Sequence, residues 1–449
     1  MNKQMKIRNI LKDIENINLS KIEDASKLTI IGITGSRGKS STAYIIYKYL
    51  KRKGIKAILY SSIGIFSYNT IYKANEAVEN PMRSMEMVKN ALKEACEARA
   101  KVLILEVNEE AINKGITKDI PMDIRVITNI WAKQNDILYP DYVNIKKKFF
   151  REASSDTKFI MSLTDKDLVD LYKELNYDKK ITTFTSEYLK EARGVDFDVD
   201  YIIKSNHDKF DSIKGITFIL KKGEEEIVID SNLLMPYSSF NLTCAYSVIS
   251  ELKLMDDSLF KEVIKDIKIP GRDEVIDVSE YEKIIVSLNL VPQLEILKKY
   301  KERGEIGKII VVTGSTGLGF ASWDSGHDMQ TLTKDKREAV SFAFKYILNN
   351  ADYLIITTSD RGDILNPFIE LEKEIVEGKM EYMMCLDRKE AIKKAIDITN
   401  DEGKMNVTFV SGRGNRNVMC LEKGKITLFN DKEVIKKLIG VKKNGKKNQ

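Results

Sequence analysis

The sequence predicts an α/β fold: a P-loop domain built on a parallel sheet, with a small antiparallel meander, followed by a Rossmann-like α/β C-terminal domain. Three observations support this prediction. Apolar bursts alternate with helical patterns, and a glycine-rich turn joins the first burst to a helix. The bursts also lack the polar alternation of a half-exposed strand. Strands of this kind are buried on both faces, which is typical of parallel sheets covered by helices.

The first domain contains the predicted strands of the parallel sheet. They are Leu28–Thr34 and residues 56–62, 101–107, 124–130 and 158–163, with helical stretches at Ser84–Ala98 and Tyr142–Glu152 between them. From residue 181 to 235, shorter segments alternate in polarity and are separated by turn residues, which predicts an antiparallel meander. A helical stretch follows at Asn241–Lys253, before the turn residues Pro270 and Gly271.

Strand–helix alternation resumes after this turn. Strands are predicted at residues 308–314, 353–359 and 406–412, and crossover helices at 334–349, 367–377 and 388–398. With 449 residues the length allows two to four domains. We predict an N-terminal helical segment at 1–27, a central domain at 28–268 that contains the glycine-rich turn, a C-terminal domain at 269–441 and a disordered lysine-rich tail at 442–449.

Composition and charge exclude several classes of protein. The 73 basic and 67 acidic side chains leave a net charge of only +6, so we expect no nucleic-acid partner. The four cysteines lie far apart with no CxxC pair, which favours a reducing compartment over disulfides or structural zinc. The N-terminus lacks a signal-peptide core, and no apolar run is long enough to span a membrane. We therefore expect a cytoplasmic protein.

A phosphate-binding loop is predicted between the first strand and the helix after it. Its glycines permit a tight turn, Lys39 can reach the β- and γ-phosphates, and the Ser40 hydroxyl can bind Mg²⁺. The spacing departs from GxxxxGK[ST], and the alternative is a purely structural glycine turn. The predicted nucleotide-binding residues here are Thr34, Gly35, Ser36, Arg37, Gly38, Lys39, Ser40 and Ser41.

The longer string GITGSRGKSST (32–42) resembles the ATP loop of the Mur ligase superfamily, whose members join a carboxylate to an amino acid using ATP. Further motifs follow in the order found in that family. They are Leu105-Glu106-Val107, Thr128-Asn129-Ile130, the YxxxKxxLF-like helix from Tyr142 to Phe150, Phe240-Asn241 and Ile269-Pro270-Gly271-Arg272. The resemblance covers residues 28–415.

The resemblance implies a role for each of these positions. The implied catalytic residues are Lys39, Lys146 and Arg272. The implied further ATP contacts are Asn129, Asn241 and Arg272. The implied Mg²⁺ ligands are Ser40, Glu106, a carbamylated Lys146 and, in place of a family histidine, Glu110. ATP and Mg²⁺ are the implied cofactors, with carbamylated lysine as a modification. The residues alone leave plainer alternatives: a solvated strand-end carboxylate, a solvated lysine run and a surface arginine.

Several motifs depart from the tripeptide-forming, MurE-like branch. Only 31 residues precede Gly32, so we expect the UDP-binding domain of that branch to be missing here. The family's EVSSH motif reads EVNEE at 106–110, DYAHNP reads SLNLVP at 287–292, and the pair after the TN motif is Lys133-Gln134. DNPR reads DRGD at 360–363 and GKGHE reads GRGNR at 412–416. The missing N-terminal domain and the RGKSS string resemble poly-γ-glutamate synthetases and other compact members, and the EVNEE string resembles the EVDE string of the wall-lipid amidating ligase subunit. We interpret His207, His327, Trp131 and Trp323 as structural.

These observations predict an ATP-dependent ligase that forms an amide through an acyl phosphate, MurE-like with a non-standard substrate. Its expected partners are a small or peptide carboxylate and an amino acid, and Arg361, Arg413 and Arg416 favour an acidic substrate. One alternative is a non-catalytic ATP-binding subunit that depends on a protein partner in a complex that modifies the cell wall or polyglutamate. A third reading, an unrelated P-loop kinase or hydrolase, conflicts with the ordered motifs.

Overall fold

The chain folds into two units, which we describe separately from a computed structural model. The first comprises Met1–Asp211 and Gly215–Ile267, and the second Ser212–Lys214 and Lys268–Gln449. The structure describes residues 3–12, 27–67, 71–73, 82, 84–130, 141–175, 180–204, 211–315, 329–359, 368–398, 403–420 and 426–447.

The first unit is a large mixed sheet covered by helices. Its strands are β1 (Thr29–Thr34), β2 (Ala57–Ser61), β3 (Gly64–Phe66), β4 (Ile71–Lys73), β5 (Val102–Glu106), β6 (Ile124–Ile127), β7 (Lys158–Ser162), β8 (Ile181–Ser186), β9 (Tyr201–Lys204), β10 (Asp211–Ser212), β11 (Gly215–Lys222) and β12 (Glu225–Ser231). Its helices are α1 (Lys3–Leu11), α2 (Lys39–Arg52), α3 (Met85–Glu97), α4 (Glu109–Asn113), α5 (Tyr142–Arg151), α6 (Lys166–Leu175), α7 (Glu187–Ala192), α8 (Ser238–Glu251) and α9 (Asp257–Lys265).

The centre of this sheet is parallel, in the strand order β9-β8-β7-β6-β1-β5-β2. These strands are apolar on both faces because helices cover both sides, and β2, β5 and β6 are buried throughout. The predicted meander is confirmed for β9, β11 and β12, which pair antiparallel. β8, at the start of the predicted range, instead pairs in parallel with β7 and β9, and the antiparallel strands extend the main sheet rather than forming a sheet of their own. As a result β1 lies between β5 and β6, with the carboxyl ends of all three at one edge.

Local sequence explains how several helices begin. The side chains of Ser84 and Asn108 cap α3 and α4 by accepting the backbone N–H groups of Met87 and Ala111. Helix α8 is buried almost throughout and packs on α2, which places it behind the phosphate loop. Helix α8 therefore covers one side of the loop that follows β1.

The second unit contains a six-stranded sheet in the order β13-β14-β18-β15-β16-β17, parallel except for the β13–β14 pair. The strands are β13 (Glu274–Ser279), β14 (Glu282–Ser287), β15 (Lys308–Thr313), β16 (Tyr353–Ile356), β17 (Glu381–Met384), β18 (Asn406–Ser411) and the separate hairpin β19 (Val418–Cys420) with β20 (Ile426–Leu428). The helices are α10 (Val291–Glu302), α11 (Met329–Asn350), α12 (Ile369–Val376), α13 (Arg388–Asp397) and α14 (Asp431–Lys447).

A buried ion pair joins two helices of this second unit at the carboxyl edge of its sheet. Arg388, at the start of α13, donates two 2.8 Å hydrogen bonds to Asp431, at the start of α14, and neither side chain is exposed. The same guanidinium donates to the backbone oxygens of Thr358 (3.0 Å) and Ser411 (2.9 Å). One side chain thus connects the ends of two strands to two helices.

The predicted fold class is confirmed, with differences at particular elements. The sequence pattern did not predict three features, which are the β3–β4 hairpin, the β13–β14 hairpin and helix α10. Helix α14 continues to Lys447, into the segment predicted to be disordered, because lysine is a good helix former and Ile435 and Ile439 anchor the helix to the core. Among the described residues, no helix is long and apolar enough to cross a membrane.

Candidate functional site

The loop between β1 and α2 has a backbone path that only glycine permits at two positions. Gly35 has a φ of 143° and Gly38, the residue before α2, has a φ of 83°. A Cβ atom at Gly35 would lie 2.0 Å from Thr128 Oγ1, and one at Gly38 would lie 2.3 Å from Asn241 Oδ1. The loop is therefore closely covered by the residues after β6 and by helix α8.

Thr128 and Asn129 hold the backbone of this loop. Asn129 accepts the N–H of Arg37 on its side-chain oxygen (2.9 Å) and donates its amide to the Arg37 oxygen (3.1 Å). Its own backbone oxygen accepts the N–H of Ser36 at 3.0 Å, while the Thr128 hydroxyl donates to the Arg37 oxygen. Asn129, which is predicted as an ATP contact, thus holds the loop backbone through three hydrogen bonds to Ser36 and Arg37.

The start of α2 offers backbone donors to an anion. The first intrahelical bond runs from the Thr42 N–H to the Gly38 oxygen at 2.9 Å, so the amides of Lys39, Ser40 and Ser41 belong to the first turn, which has no intrahelical acceptor. Lys39 folds back over the loop, and its Nζ donates to the Gly35 oxygen at 2.9 Å. A phosphate at this end would meet the helix dipole and an ammonium group together.

A carboxylate and three hydroxyls meet beside the first turn of α2. Glu106 ends β5 and is 5% exposed, and its Oε1 accepts the Ser40 hydroxyl at 3.1 Å. Its other oxygen accepts the Ser61 hydroxyl and the Ser62 N–H (3.0 Å) at the end of β2, and the Ser62 hydroxyl lies 3.0 Å from that of Ser40. These groups converge because β2 and β5 are parallel neighbours.

The Ser40–Glu106 pair fits a magnesium ion, because both provide hard oxygen donors on one side of the phosphate loop. Within the described part of the chain, no three histidine, cysteine or acidic side chains form a metal cluster of their own. Mg²⁺ is commonly held by one or two carboxylates together with substrate phosphates, so this donor set suits an ion that arrives with a nucleotide.

Lys146 lies fully buried at the base of the loop. Its Nζ donates to Thr34 Oγ1 (3.0 Å) and to Glu109 Oε2 (2.9 Å), and it lies 5.3 Å from the ring centroid of Tyr142. Burial lowers the pKa of Lys146 to about 8, against the opposing charge of Glu109. Burial raises the pKa of Glu109, but the charges of Lys146 and Lys39 outweigh it and lower that pKa to about 2.

Glu109 is the residue at this site that sequence reasoning missed. Prediction selected Glu110 as a metal ligand, but the structure pairs Glu110 with Lys114 one turn along α4, at 2.6 Å on the surface. Glu109 is the neighbour that faces Lys146. The capping residue Asn108 sets this rotation of α4, and the cap followed by two acidic residues was the available signal.

The structure brings most of the predicted site residues together. Thr34, Ser36, Lys39, Ser40, Glu106, Asn129, Lys146 and Asn241 surround one loop at the carboxyl ends of β1, β2, β5 and β6. Arg272 belongs to the second unit, where its guanidinium donates to the Gly271 oxygen at 3.3 Å. Arg413, expected to favour an acidic substrate, is 1% exposed and donates to the Val418 and Phe429 oxygens instead.

Several residues singled out in the sequence lie outside the described residues. They are Trp131, Lys133, Gln134, His207, Trp323, His327 and the Asp360–Asp363 segment.

A strand–glycine loop–helix unit with a hydroxyl and a carboxylate at its edge defines a P-loop nucleotide-binding protein.

Residues 33–249 match the model of the Mur ligase middle domain. The chain is 26% identical over 432 residues to a UDP-N-acetylmuramoyl-L-alanyl-D-glutamate–2,6-diaminopimelate ligase of Aquifex aeolicus, covering 93% of this chain and 78% of that one. A ligase of the same name from Bacillus cereus is 24% identical over 428 residues, covering 92% of this chain and 78% of that relative. These comparisons support the assignment of the chain to the Mur ligase superfamily of ATP-dependent amide-bond ligases.

Solved structures share the fold at low sequence identity. A 2,6-diaminopimelate ligase structure superposes with a TM-score of 0.61 at 19% identity, covering 98% of this chain and 83% of that one. Folylpolyglutamate synthase of Thermotoga maritima gives the same TM-score at 14% identity, covering 92% and 90%. MurF of Thermotoga maritima, solved in complex with ADP, gives 0.57 at 16% identity, covering 90% and 80%.

Proposed function

We propose that the protein is an ATP- and Mg²⁺-dependent ligase that joins a carboxylate to an amino acid, with a substrate other than the muramoyl dipeptide. The observation that carries this proposal is the Ser40–Glu106 contact of 3.1 Å beside the first turn of α2. It combines a magnesium-type donor pair with a phosphate-type loop, which is what γ-phosphoryl transfer needs.

The chemistry proceeds in two balanced steps. A carboxylate oxygen of the substrate attacks the γ-phosphorus, the bond to the β-phosphate oxygen breaks, and ADP leaves. The amine of the second substrate then attacks the acyl carbon, phosphate leaves, the nitrogen loses a proton, and an amide remains. Because like charges repel in the first step, positive charge at the phosphates lowers its barrier.

Each site residue contributes to the first step. Lys39 and the first-turn amides of α2 bind the phosphates, while Thr128 and Asn129 keep the loop in shape for them. Mg²⁺, held by Ser40 and Glu106, would neutralise developing phosphate charge. Asn241, against Gly38, is proposed to support the nucleotide from α8, and Arg272 keeps its proposed role as a phosphate ligand.

The substrate class is proposed from the relatives' names and from the altered motifs. Both 2,6-diaminopimelate ligases and folylpolyglutamate synthase are named for adding an amino acid to a glutamyl or related acid. In the position of the family's DYAHNP motif, Ser287 bonds its hydroxyl to Asp273 at 2.7 Å, so this segment serves the local turn. We therefore propose a glutamyl-type carboxylate acceptor on a scaffold that is not the standard one.

The test is a phosphate-release screen over pairs of carboxylates and amino acids, with mass detection of the amide. We expect phosphate release that requires both substrates and falls about 10- to 100-fold in Lys39→Ala, because a charge-assisted contact to phosphate is lost. Lys51→Ala, at the exposed end of the same helix, is the matched control. Full activity in Lys39→Ala would refute the proposed role of the loop.

A second candidate is a nucleotide-binding subunit that turns over only with a protein partner. The changed residues at 287–292 favour it, since the Asp and His of the family motif are replaced there. Tight ADP binding with no amine-stimulated phosphate release from any substrate pair, together with recovery of release when a co-purifying partner is added, would select this candidate.

A further inference from the structure

The strongest unassigned feature is the buried ion pair of Lys146 and Glu109. The Lys146 side chain is 0% exposed and that of Glu109 is 23% exposed, with 2.9 Å between Nζ and Oε2. A second bond of 3.0 Å from Nζ to Thr34 Oγ1 anchors the pair to the end of β1, directly before Gly35. Thr34 is held in turn by donating its hydroxyl to the Val107 oxygen at 2.9 Å.

The charges around Lys146 come from three elements. Glu109 on α4 forms the ion pair, Glu106 at the end of β5 adds a weaker attraction, and Lys39 on α2 opposes them. A buried ammonium is stable only when its donors are satisfied and its charge is compensated. Here Glu109 compensates the charge, Glu109 and Thr34 Oγ1 accept two of the three N–H donors, and the Tyr142 ring lies 5.3 Å from Nζ, all without any modification of the lysine.

A carbamate on Lys146 does not fit this arrangement. Carbamylation adds CO₂ to the neutral amine, forms an N–C bond and releases a proton, so a cation becomes an anion. That anion would face the Glu109 carboxylate, because Glu109 Oε2 already lies 2.9 Å from Lys146 Nζ. With no cation between them, two carboxylates this close repel each other, and Glu109 is only 23% exposed to the water that would screen the repulsion. The family's EVSSH motif has an uncharged serine where this chain has Glu109.

We propose that Lys146 remains an unmodified ammonium and that Glu109 is the positioning residue that holds it against Thr34 at the base of the phosphate loop. The pair replaces the carbamate that the family resemblance implies. This inference rests on the proposed nucleotide site only for its effect on ligand affinity, since the state of the lysine can be measured without any ligand.

The direct test is carbon NMR of the intact protein in ¹³C-bicarbonate at pH 8. Wild type, Lys146→Met and Lys148→Met are compared; Lys148, a half-exposed lysine on the same helix, serves as the matched control. We expect no carbamate carbon that disappears specifically in Lys146→Met. A carbamate signal present in wild type and Lys148→Met but lost in Lys146→Met overturns the proposal.

The second test is a double-mutant cycle read as Mg²⁺·ADP affinity by calorimetry. Lys146→Met leaves Glu109 uncompensated near the phosphates, so we expect about tenfold weaker binding, or about 1.4 kcal/mol. Adding Glu109→Gln removes both charges, which also guards against loss of folding, and should restore affinity to within about threefold of wild type. If Lys146→Met and the double variant bind Mg²⁺·ADP equally weakly, and Glu109→Gln alone has no effect on affinity, the proposed role of the Lys146–Glu109 pair is overturned.

The two tests separate this inference from the proposed function. If wild type binds no ADP, the proposed nucleotide site fails, and the bicarbonate experiment still decides the state of Lys146. If ADP binds and a Lys146-dependent carbamate is found, the proposed function survives and this inference fails.

Discussion

The carboxyl edges of the two parallel sheets use buried polar groups in opposite ways. In the first unit they surround a glycine loop and leave the first turn of α2 facing a ligand position. In the second unit, the Arg388 guanidinium donates its hydrogen bonds to the Asp431 carboxylate and to the backbone oxygens of Thr358 and Ser411 at the strand ends. The first edge is therefore suited to binding, and the second edge is tied together internally.

The difference teaches that a buried charge at a strand end is not by itself a sign of a binding site. What separates the two edges is the state of the backbone. Glycines with positive φ occur at both edges, Gly35 and Gly38 at the first and Gly412 and Gly414 at the second. At the first edge, however, the chain enters α2, whose first-turn amides have no intrahelical acceptor, whereas the guanidinium at the second edge binds the nearby carbonyl oxygens.

The largest expected effect comes from breaking the internal tie of the second unit. Arg388→Met removes both hydrogen bonds to the buried Asp431, leaves only the Arg413 guanidinium at 3.9 Å as its charged neighbour, and should lower the free energy of unfolding by about 3–5 kcal/mol. Chemical denaturation measures the loss, and Lys393→Met, an exposed pair member on the same helix, is the control. If ADP affinity falls with Arg388→Met while stability stays constant, the second edge binds after all and the comparison is wrong.

The next effect tests the loop of the first unit. Gly35→Ala places a Cβ against Thr128 at a strained φ, so we expect a stability loss of about 2–4 kcal/mol and loss of ADP binding. Gly54 also has positive φ, 78°, but no atom lies within 4 Å of a Cβ there. Gly54→Ala should cost only about 1 kcal/mol and leave ADP affinity unchanged. Equal losses in both variants would mean that φ strain alone, and not the contact, explains the result.

The contrast between the two edges also explains what the sequence predicted. The phosphate loop of the first edge could be predicted from the sequence because Gly35, Gly38, Lys39 and Ser40 lie close together in the chain and form a recognisable motif. The Arg388 network draws on residues from four separate segments, so no local pattern reveals it. Glu109 and Glu110 are adjacent, and only the rotation of α4 decides which one faces the loop. The β3–β4 hairpin was missed because its strands have only three residues each, which is too short for a periodic pattern.

A smaller effect concerns acid stability of the first unit. The folded pKa of Glu109 is about 2, below its usual 4.5, so its stabilisation is present above about pH 4.5 and is lost as the pH falls towards 2. Wild type should exceed Glu109→Gln in stability by about 2 kcal/mol at pH 6, and the gap should close near pH 2. Thermal unfolding of both proteins across this range measures it. A gap independent of pH would show that charge is not the cause.

The smallest effect has the opposite sign and lies away from both edges. Gly440 is within helix α14, and no atom lies within 4 Å of a Cβ placed there. Gly440→Ala should stabilise the protein by about 0.5–1 kcal/mol because alanine restricts the unfolded chain. Denaturation midpoints measure the gain, and a loss of stability would indicate that the end of α14 is not helical in solution.

The contact of Asn241 with Gly38 has a consequence for synthesis of the protein. Translation produces β1, the loop and α2 long before it produces α8, which carries Asn241. While the nascent chain is short, the loop lacks its cover from this helix, and closing so distant a contact is slow. Nucleotide-binding competence should therefore arise late on the ribosome, once residues as far as Glu251 have left the exit tunnel and α8 has docked.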